Sequence, residues 1–199
     1  MPPERFNVAT MTTRTTTLPL VPGKWAVDPN HSAVNFTIRH LGVSKVRGRF
    51  THFDVDVTIG DTLETTSVTA TIELASVDTG NADRDAHVLA PDRVDVTLRP
   101  TIVFHSTTVA ADGDDWRVDG ELTIGEATVP VSLAVELGGI QDFPVGPRHA
   151  GFEATTQIRR QDFGLMPSIP AAALGDVIKV ELDLQLLEPE SDSPSTPAE

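Results

Sequence analysis

The chain has 199 residues, no cysteine and a formal net charge of −14 at pH 7. One domain of this length can bury a substantial core, and the lack of cysteine excludes a disulfide framework and thiol catalysis. The acidic balance disfavours a nucleic-acid partner, since such binders need clustered Lys and Arg to displace counterions, and it disfavours a general basic face for anionic lipid. The bases that gather in one short stretch are Arg39, Lys45, Arg47 and Arg49.

The two ends of the chain lack the patterns of folded structure. Residues 1–23 are rich in Thr and Pro, and their apolar runs are shorter than the roughly 7–15 residues of a secretory signal. No run in the chain approaches the about 18 apolar residues of a membrane span. Residues 188–199 contain four acids and no base, which is typical of a solvated tail. We expect a flexible segment at 1–23, one domain at 24–187, a disordered acidic tail at 188–199, no transmembrane segment and a cytoplasmic location.

Between the ends, apolar and polar residues alternate with a period of two, which predicts strands with one apolar face. The predicted strands, separated by turn signals, are 31–40, 46–59, 67–75, 101–109, 116–124, 128–137, 150–159 and 177–187. Residues 81–90 lack this period and are rich in helix formers, and Thr79 or Asn81 is a suitable cap. The pattern therefore predicts one short helix at 81–90.

Antiparallel strands with one apolar face must close or stack to bury that face. We therefore expect an all-β fold in which eight antiparallel strands close as one up-and-down barrel with one inserted short helix. An eight-stranded barrel is either filled by its own side chains or holds one small ligand, and periodicity does not separate these alternatives. The residues predicted to face the interior are Phe36, Ile38, Phe50, Phe53, Phe104, Leu122, Leu133 and Phe163.

The sequence predicts no metal or nucleotide site. The histidines are His31, His40, His52, His87, His105 and His149. No two of them have the H-x-H, H-x-x-x-H or H-E-x-x-H spacing, whereas zinc sites usually have three or four ligands. The chain also lacks a glycine loop that would cradle phosphate. We therefore expect that the protein uses no cofactor.

Two catalytic hypotheses are weaker than their structural alternatives. Ser32 beside His31 does not make a nucleophile–base pair, because adjacent strand residues face opposite ways and no G-x-S-x-G elbow is present. Arg84-Asp85 and Arg160-x-Asp162 are candidate catalytic ion pairs. The favoured interpretation is that these pairs fix the helix and the 161–173 loop to the barrel.

The stretch from Trp25 to Phe53 reads W-A-V-D-P-N-H-S-A-V-N-F-T-I-R-H-L-G-V-S-K-V-R-G-R-F-T-H-F. It resembles the opening of the YceI-like family, aromatic-x-hydrophobic-D-x-x-H-S-x-V-x-F-x-I-x-H-x-G-x-S-x-V-x-G-x-F. Further similar segments extend the resemblance over nearly all of residues 24–187. These segments are Ser76–Thr79, Arg84–Leu89, Pro100–Ser106, Gly120–Ile124, Pro130-Val131, Arg160–Leu165 and Gly175-Asp176.

The resemblance implies a lipocalin-like barrel whose elongated apolar cavity holds a polyisoprenoid or a similar long-chain lipid, in a family without a settled catalytic activity. It favours the hollow barrel, and it implies binding, storage or transport of such a lipid, with no enzymatic activity. The candidate lipid-binding residues are the eight interior ones, with His40, Arg84 and Arg160 as polar groups near one mouth. The sequence leaves open an enzyme acting on an isoprenoid lipid, a solid-core structural domain, and a homodimer.

The chain departs from the family pattern at three places. Trp25 stands where tyrosine is frequent, residues 92–96 stand where the family often has an aromatic pair, and Gly125-Glu126 reverses the usual position of a turn glycine. We expect the change at residues 92–96 to reshape one end of the cavity.

Overall fold

The alternating runs form β-strands whose apolar side chains share the inner face of one barrel, in a computed structural model that describes residues 18–189. In chain order the elements are β1 (Gly23–Val27), β2 (Ala33–His40), β3 (Ser44–Phe50), β4 (Phe53–Ile59), β5 (Ser67–Glu73), β6 (Val77–Asp78), α1 (Ala82–Leu89), β7 (Thr101–Asp112), β8 (Asp115–Ile124), β9 (Ala127–Gln141), β10 (His149–Arg159) and β11 (Leu174–Leu187). Of the two predicted terminal segments, residues 1–17 and 190–199 lie outside the described residues.

The barrel closes through eight strands. Over residues 18–189 the ring has the order β1-β4-β5-β7-β8-β9-β10-β11, every pair is antiparallel, and β11 pairs back with β1. The predicted eight-stranded antiparallel barrel with one short helix is confirmed. Among the same residues, no helix is long and apolar enough to cross a membrane.

At two places in the barrel wall, two successive strands together take the place of one continuous strand. The sequence did not predict this. β1 and β2 follow one another along the same edge of β11, since Ala26 pairs with Leu187 whereas Ala33 pairs with Asp183. β3 and β4 likewise pair with β2 and β1. The sequence predicted no strand at β1 and one unbroken strand at 46–59.

The break between β3 and β4 at Thr51-His52 has a local cause. Thr51 N donates to Ser76 O at 3.1 Å, and His52 O accepts from Glu73 N at 3.0 Å. Thr51 N therefore bonds to the 3₁₀ turn Leu74–Ser76 that follows β5, and His52 O bonds to Glu73, the last residue of β5, and accepts from Ser76 Oγ of the turn at 3.3 Å. Because this turn is distant in sequence, the alternating pattern of 46–59 carries no sign of the break.

The break between β1 and β2 is the Asp28–Ser32 turn, which is fastened to Gln185 of β11. Asp28 N donates to Gln185 O at 2.8 Å, and Ser32 Oγ accepts from Gln185 N at 3.0 Å. The Asp28 carboxylate accepts from Asn30 N at 2.9 Å and lies 2.8 Å from Nδ1 of His31. The D-x-x-H-S motif thus holds the kink in the composite strand, in agreement with a structural role for His31 and Ser32.

The helix α1 begins at the cap that the sequence indicated. Asn81 Oδ1 accepts from Arg84 N at 2.9 Å. Asp85 Oδ1 accepts from Thr79 Oγ1 at 2.5 Å, and Arg84 Nε donates to the same Thr79 hydroxyl at 2.7 Å. Arg84 and Asp85 therefore bind Thr79 and fasten the helix to the end of β6, as their structural interpretation predicts.

Apolar residues pack in two clusters. The first cluster surrounds Trp25 and Trp116, and it includes Leu20 at 6% exposure with Leu18 packed against it. The second cluster includes Phe163 and contains residues from the segments between β6 and β7 and between β10 and β11. Leu18 and Leu20 belong to the segment predicted to be flexible, so packing against the barrel begins before residue 24.

Candidate functional site

An apolar cavity lies along the inside of the barrel. Its volume, measured as the space that the centre of a water molecule can reach, is about 170 Å³. Its wall exposes only apolar atoms. The wall includes Leu18 and Trp116 among the first cluster's residues and Phe50 and Ile158 towards the second. The cavity therefore extends between the two clusters.

The length of the cavity follows from the strands that form it. On β11 the wall includes the inward residues from Val180 to Leu186. At about 3.4 Å per residue this stretch is roughly 20 Å long, and a strand tilt of about 40° leaves roughly 15 Å along the barrel axis. A long, narrow, apolar space suits an extended hydrocarbon chain.

The exposure of the inward side chains shows that the barrel is hollow. Val131, Leu133 and Val135 of β9 point into the cavity and are only half-buried, and so are Leu182 and Leu184 of β11. In a filled barrel these side chains would be in contact with protein atoms on all sides. The wall also includes small residues, Ala70 and Ala154, where a larger side chain would occupy part of the space.

Four of the predicted interior residues line the cavity, namely Phe50, Phe104, Leu122 and Leu133. The Phe104 ring lies over Gly120 of the neighbouring strand, where an added Cβ would be 2.5 Å from the ring and 2.4 Å from His105 O. Because Gly120 has no side chain, the Phe104 ring has room to lie against the sheet.

The other four predicted interior residues lie beside the cavity. Phe36 packs against Phe50 with ring centroids 5.4 Å apart, and its ring covers Gly48 on β3. Ile38 is buried, Phe53 packs on the first cluster, and Phe163 is buried in the second cluster. Their contact with lipid stays a prediction, and Phe36 positions the wall residue Phe50.

The three polar candidates do not line the cavity. His40 is exposed at the end of β2, and Arg84 is bound to Thr79. Arg160 is buried at 1% exposure, and its guanidinium donates to five backbone carbonyls. The acceptors are Gly175 O, Leu165 O, Met166 O, Ile169 O and Leu174 O, at 2.6–3.3 Å.

Much of the wall consists of aliphatic residues that were not among the predicted site residues. The inward stripe of β11, from Val180 to Leu186, was visible as the most regular alternation in the chain, and the stripe of β9 was visible in the same way. Of these two aliphatic stripes, only Leu133 was among the predicted interior residues. Trp116 was also missed, and its Nε1–H is buried without a hydrogen-bond partner within residues 18–189.

The charged groups of the barrel lie away from the cavity. Hydrogen bonds lower the pKa of three half-buried carboxyls: His31 is the main cause at Asp28, the backbone N–H of Gly80 at Asp78, and Ser132 at Asp119. The lining residues include none with a titratable side chain. Nor do residues 18–189 bring together three or more His, Cys, Asp or Glu side chains that could hold a metal ion.

Comparison with known proteins identifies relatives over most of the chain. The model of the YceI-like domain matches residues 25–186. A protein named YceI from Shigella flexneri is 39% identical over 150 residues, which cover 74% of this chain and 78% of the relative. A UPF0312 protein from Pseudomonas aeruginosa strain LESB58 is 38% identical over 144 residues, covering 72% of this chain and 75% of the relative.

Solved structures have the same fold. A YCEI protein of Campylobacter jejuni matches with a TM-score of 0.69 and 27% identity, covering 77% of this chain and 91% of its own. BcnA of Burkholderia cenocepacia matches with a TM-score of 0.70 and 23% identity, covering 80% and 98%. A polyisoprenoid-binding domain from Saccharophagus degradans matches with a TM-score of 0.60 and 15% identity, covering 85% and 100%. Because the family model spans the whole barrel and the curated relatives share more than a third of their aligned residues with it, the chain belongs to the YceI-like family.

Proposed function

We propose that this protein binds a polyisoprenoid or another long-chain apolar lipid inside the barrel and stores or transports it. The observation that carries the proposal is the continuous apolar cavity with half-buried inward side chains. The name of the Saccharophagus degradans domain, whose fold is similar, supports a polyisoprenoid as the ligand. The contacts that we propose include Phe50, Phe104, Leu122 and Leu133.

The energetics of such a ligand favour a carrier. Burying one CH₂ group is worth about 0.8 kcal/mol, so one five-carbon isoprene unit is worth roughly 4 kcal/mol against water. Eight units would sum to roughly 32 kcal/mol, which exceeds the ceiling of about 18–21 kcal/mol on non-covalent affinity. The real competitor is the bilayer, which is equally apolar. Exchange between bilayer and cavity is therefore close to neutral, and the shape of the cavity supplies the selectivity.

We propose binding without catalysis. No lining residue has a titratable side chain to act as an acid, a base or an activated nucleophile. Of the polar groups that an isoprenoid enzyme would recruit, Arg84 is bound to Thr79 and Arg160 is bound to backbone carbonyls. No observation on the described residues favours the enzyme alternative.

The sharpest test fills the cavity without burying a charge. Ala154 of β10 lines the cavity, and Thr155 next to it points outward and is exposed. Ala154→Phe should reduce the affinity for a fluorescent prenyl probe by tenfold or more, whereas Thr155→Phe should leave it unchanged. Thermal melting checks that both variants fold. Equal affinity in the two folded variants would contradict binding inside the barrel.

Mass spectrometry of an organic extract of the purified protein identifies the ligand. An intact copurified lipid supports the carrier, and a processed product supports the enzyme. A lipid at a hundred times its Kd stabilises a protein by about 2.7 kcal/mol, which raises the Tm of a domain of this size by about 5–11 °C. A protein that yields no lipid and takes up no probe would contradict the proposed binding.

A further inference from the structure

The hairpin β2–β3, Ala33–Phe50, is basic in an acidic protein. Its 18 residues contain four of the 15 Lys and Arg residues of the chain and none of its 29 Asp and Glu residues. We call this segment the basic hairpin. A stretch free of acids stands out in a chain whose net charge is −14.

The register places the four cations on one face. Arg39 pairs with Lys45, and Arg47 and Arg49 follow at alternate positions of β3, so all four share the outward face. Arg49 forms an ion pair with Asp78. Arg39, Lys45 and Arg47 form no ion pair with any residue of the range 18–189. Like charges directly opposite each other are unfavourable in a sheet, and an external anion would relieve that repulsion.

The tip of the hairpin is apolar, exposed and strained. Leu41 is 56% exposed and Val43 is 82% exposed. Leu41 has a φ of 52°, in the left-handed region that favours Gly and Asn. Leu41 N donates to Ala173 O at 2.8 Å, which anchors the tip to the loop before β11. A leucine at position 41 gains neither burial nor a favourable backbone conformation. The stability of the fold therefore does not account for its presence there.

We propose that the basic hairpin docks on an anionic lipid bilayer. Leu41 and Val43 would enter the interface, and the cations behind them would lie at the level of the phosphate headgroups. A nucleic acid would be attracted by the cations but would gain nothing from the apolar tip. At physiological salt, charges beyond about 8 Å are largely screened, so the acids elsewhere on the barrel do not cancel the local attraction. This docking goes beyond lipid storage and rests on the hairpin alone, whatever the cavity binds.

A second exposed apolar loop provides a control. Phe143 is 56% exposed and Val145 is 90% exposed, in the connection between β9 and β10. The nearby Arg148 is already paired with Asp142 at 2.8 Å and lies 3.9 Å from Glu188. This loop has comparable apolar exposure without free cations, so the proposal predicts that it does not bind an anionic bilayer.

The charge test uses sedimentation with vesicles of phosphatidylcholine alone or mixed with phosphatidylglycerol. The wild-type protein should bind only the mixed vesicles, and binding should weaken as salt rises. K45Q/R47Q should weaken binding by about thirtyfold, because each cation near the surface contributes about 1 kcal/mol. R117Q/R148Q removes the same net charge elsewhere and should bind like the wild type. Equal binding by these two double variants would overturn the proposal.

The apolar test compares two further double variants. L41N/V43S should bind the mixed vesicles at least tenfold more weakly than F143N/V145S, and it should fold well because Asn tolerates the φ of residue 41. Thermal melting checks each fold. Uptake of the prenyl probe without vesicles should be unchanged in all four variants, so a failure of lipid storage would be distinguished from a failure of docking. Wild-type protein that binds a single-stranded oligonucleotide but no mixed vesicle would overturn the bilayer as the partner.

Discussion

Arg160 is a buried cation whose partners are all neutral. Its guanidinium donates to three backbone carbonyls of the segment between β10 and β11 and to two at the start of β11, and an Arg side chain has five donor N–H groups. Five separated carbonyls thereby converge on one planar group and close the segment over the second apolar cluster. The R-Q-D-F-G pattern is therefore a structural signature of this loop.

Replacing Arg160 should unfold the loop and destabilise the barrel. Arg160→Met keeps a similar length but leaves several buried carbonyls without donors, and each such group costs about 1–3 kcal/mol. We expect a loss of at least about 3 kcal/mol in the free energy of unfolding, measured with urea. Arg49→Met is the matched control, since it removes an exposed pair with Asp78, worth about 0–1 kcal/mol. Similar losses in both variants would contradict the role assigned to Arg160.

Composite strands are the element-scale feature that distinguishes this barrel from a simple up-and-down sheet. At the turn Asp28–Ser32 the chain passes from β1 to β2, and both strands pair with β11. The carboxylate of Asp28 collects bonds from Asn30 N, from His31 and from Gln185 Nε2 at 3.2 Å. A single acid thus connects the kink to the neighbouring strand β11.

The charge of Asp28 should make this kink sensitive to acid. The hydrogen bond with His31, and then that from Asn30 N, lower the pKa of Asp28. The stabilisation is therefore fully present above the ordinary value near 4 and is lost as the pH falls through the lowered pKa. Asp28→Asn keeps the turn but removes the charge, so its Tm should be below that of the wild type at pH 7. This difference should shrink below pH 4. The control Asp61→Asn, at an exposed residue, should leave the Tm at pH 7 unchanged.

Residues 18–22, which precede β1, belong to the folded unit. Leu20 is buried, and Trp25 Nε1 donates to Val21 O at 3.0 Å. We expect that removing residues 1–17 leaves the Tm unchanged. Removing residues 1–22 should lower it by about 5–10 °C, since burying one leucine is worth about 1.5–3 kcal/mol and further contacts are lost with it. Equal Tm values for the two truncated proteins would show that Leu20 contributes nothing.

At the scale of the whole molecule, the sequence predicted the barrel because alternation is a local property of each strand. The stripe of β11 and the cap of α1 at Asn81 could both be recognised within a few residues. The break at Thr51-His52 could not, since it depends on hydrogen bonds to the distant turn at Leu74–Ser76. The hollow interior could not be predicted from the alternating pattern either. The side chain of Leu133 points inward whether it contacts another side chain or an empty space.

The contact between the two ends of the domain bears on how the protein folds. Ala26 of β1 pairs with Leu187 of β11, and Pro189 lies against Gly23. The ring therefore closes between the first and the last strand of the barrel to leave the ribosome, and such distant pairings make folding slow. Until β11 is made, the edge of β1 that it covers stays open, and an unpaired edge invites aggregation. Because the ends meet, we also expect that a circular permutant joining residues 189 and 18 by a short linker folds.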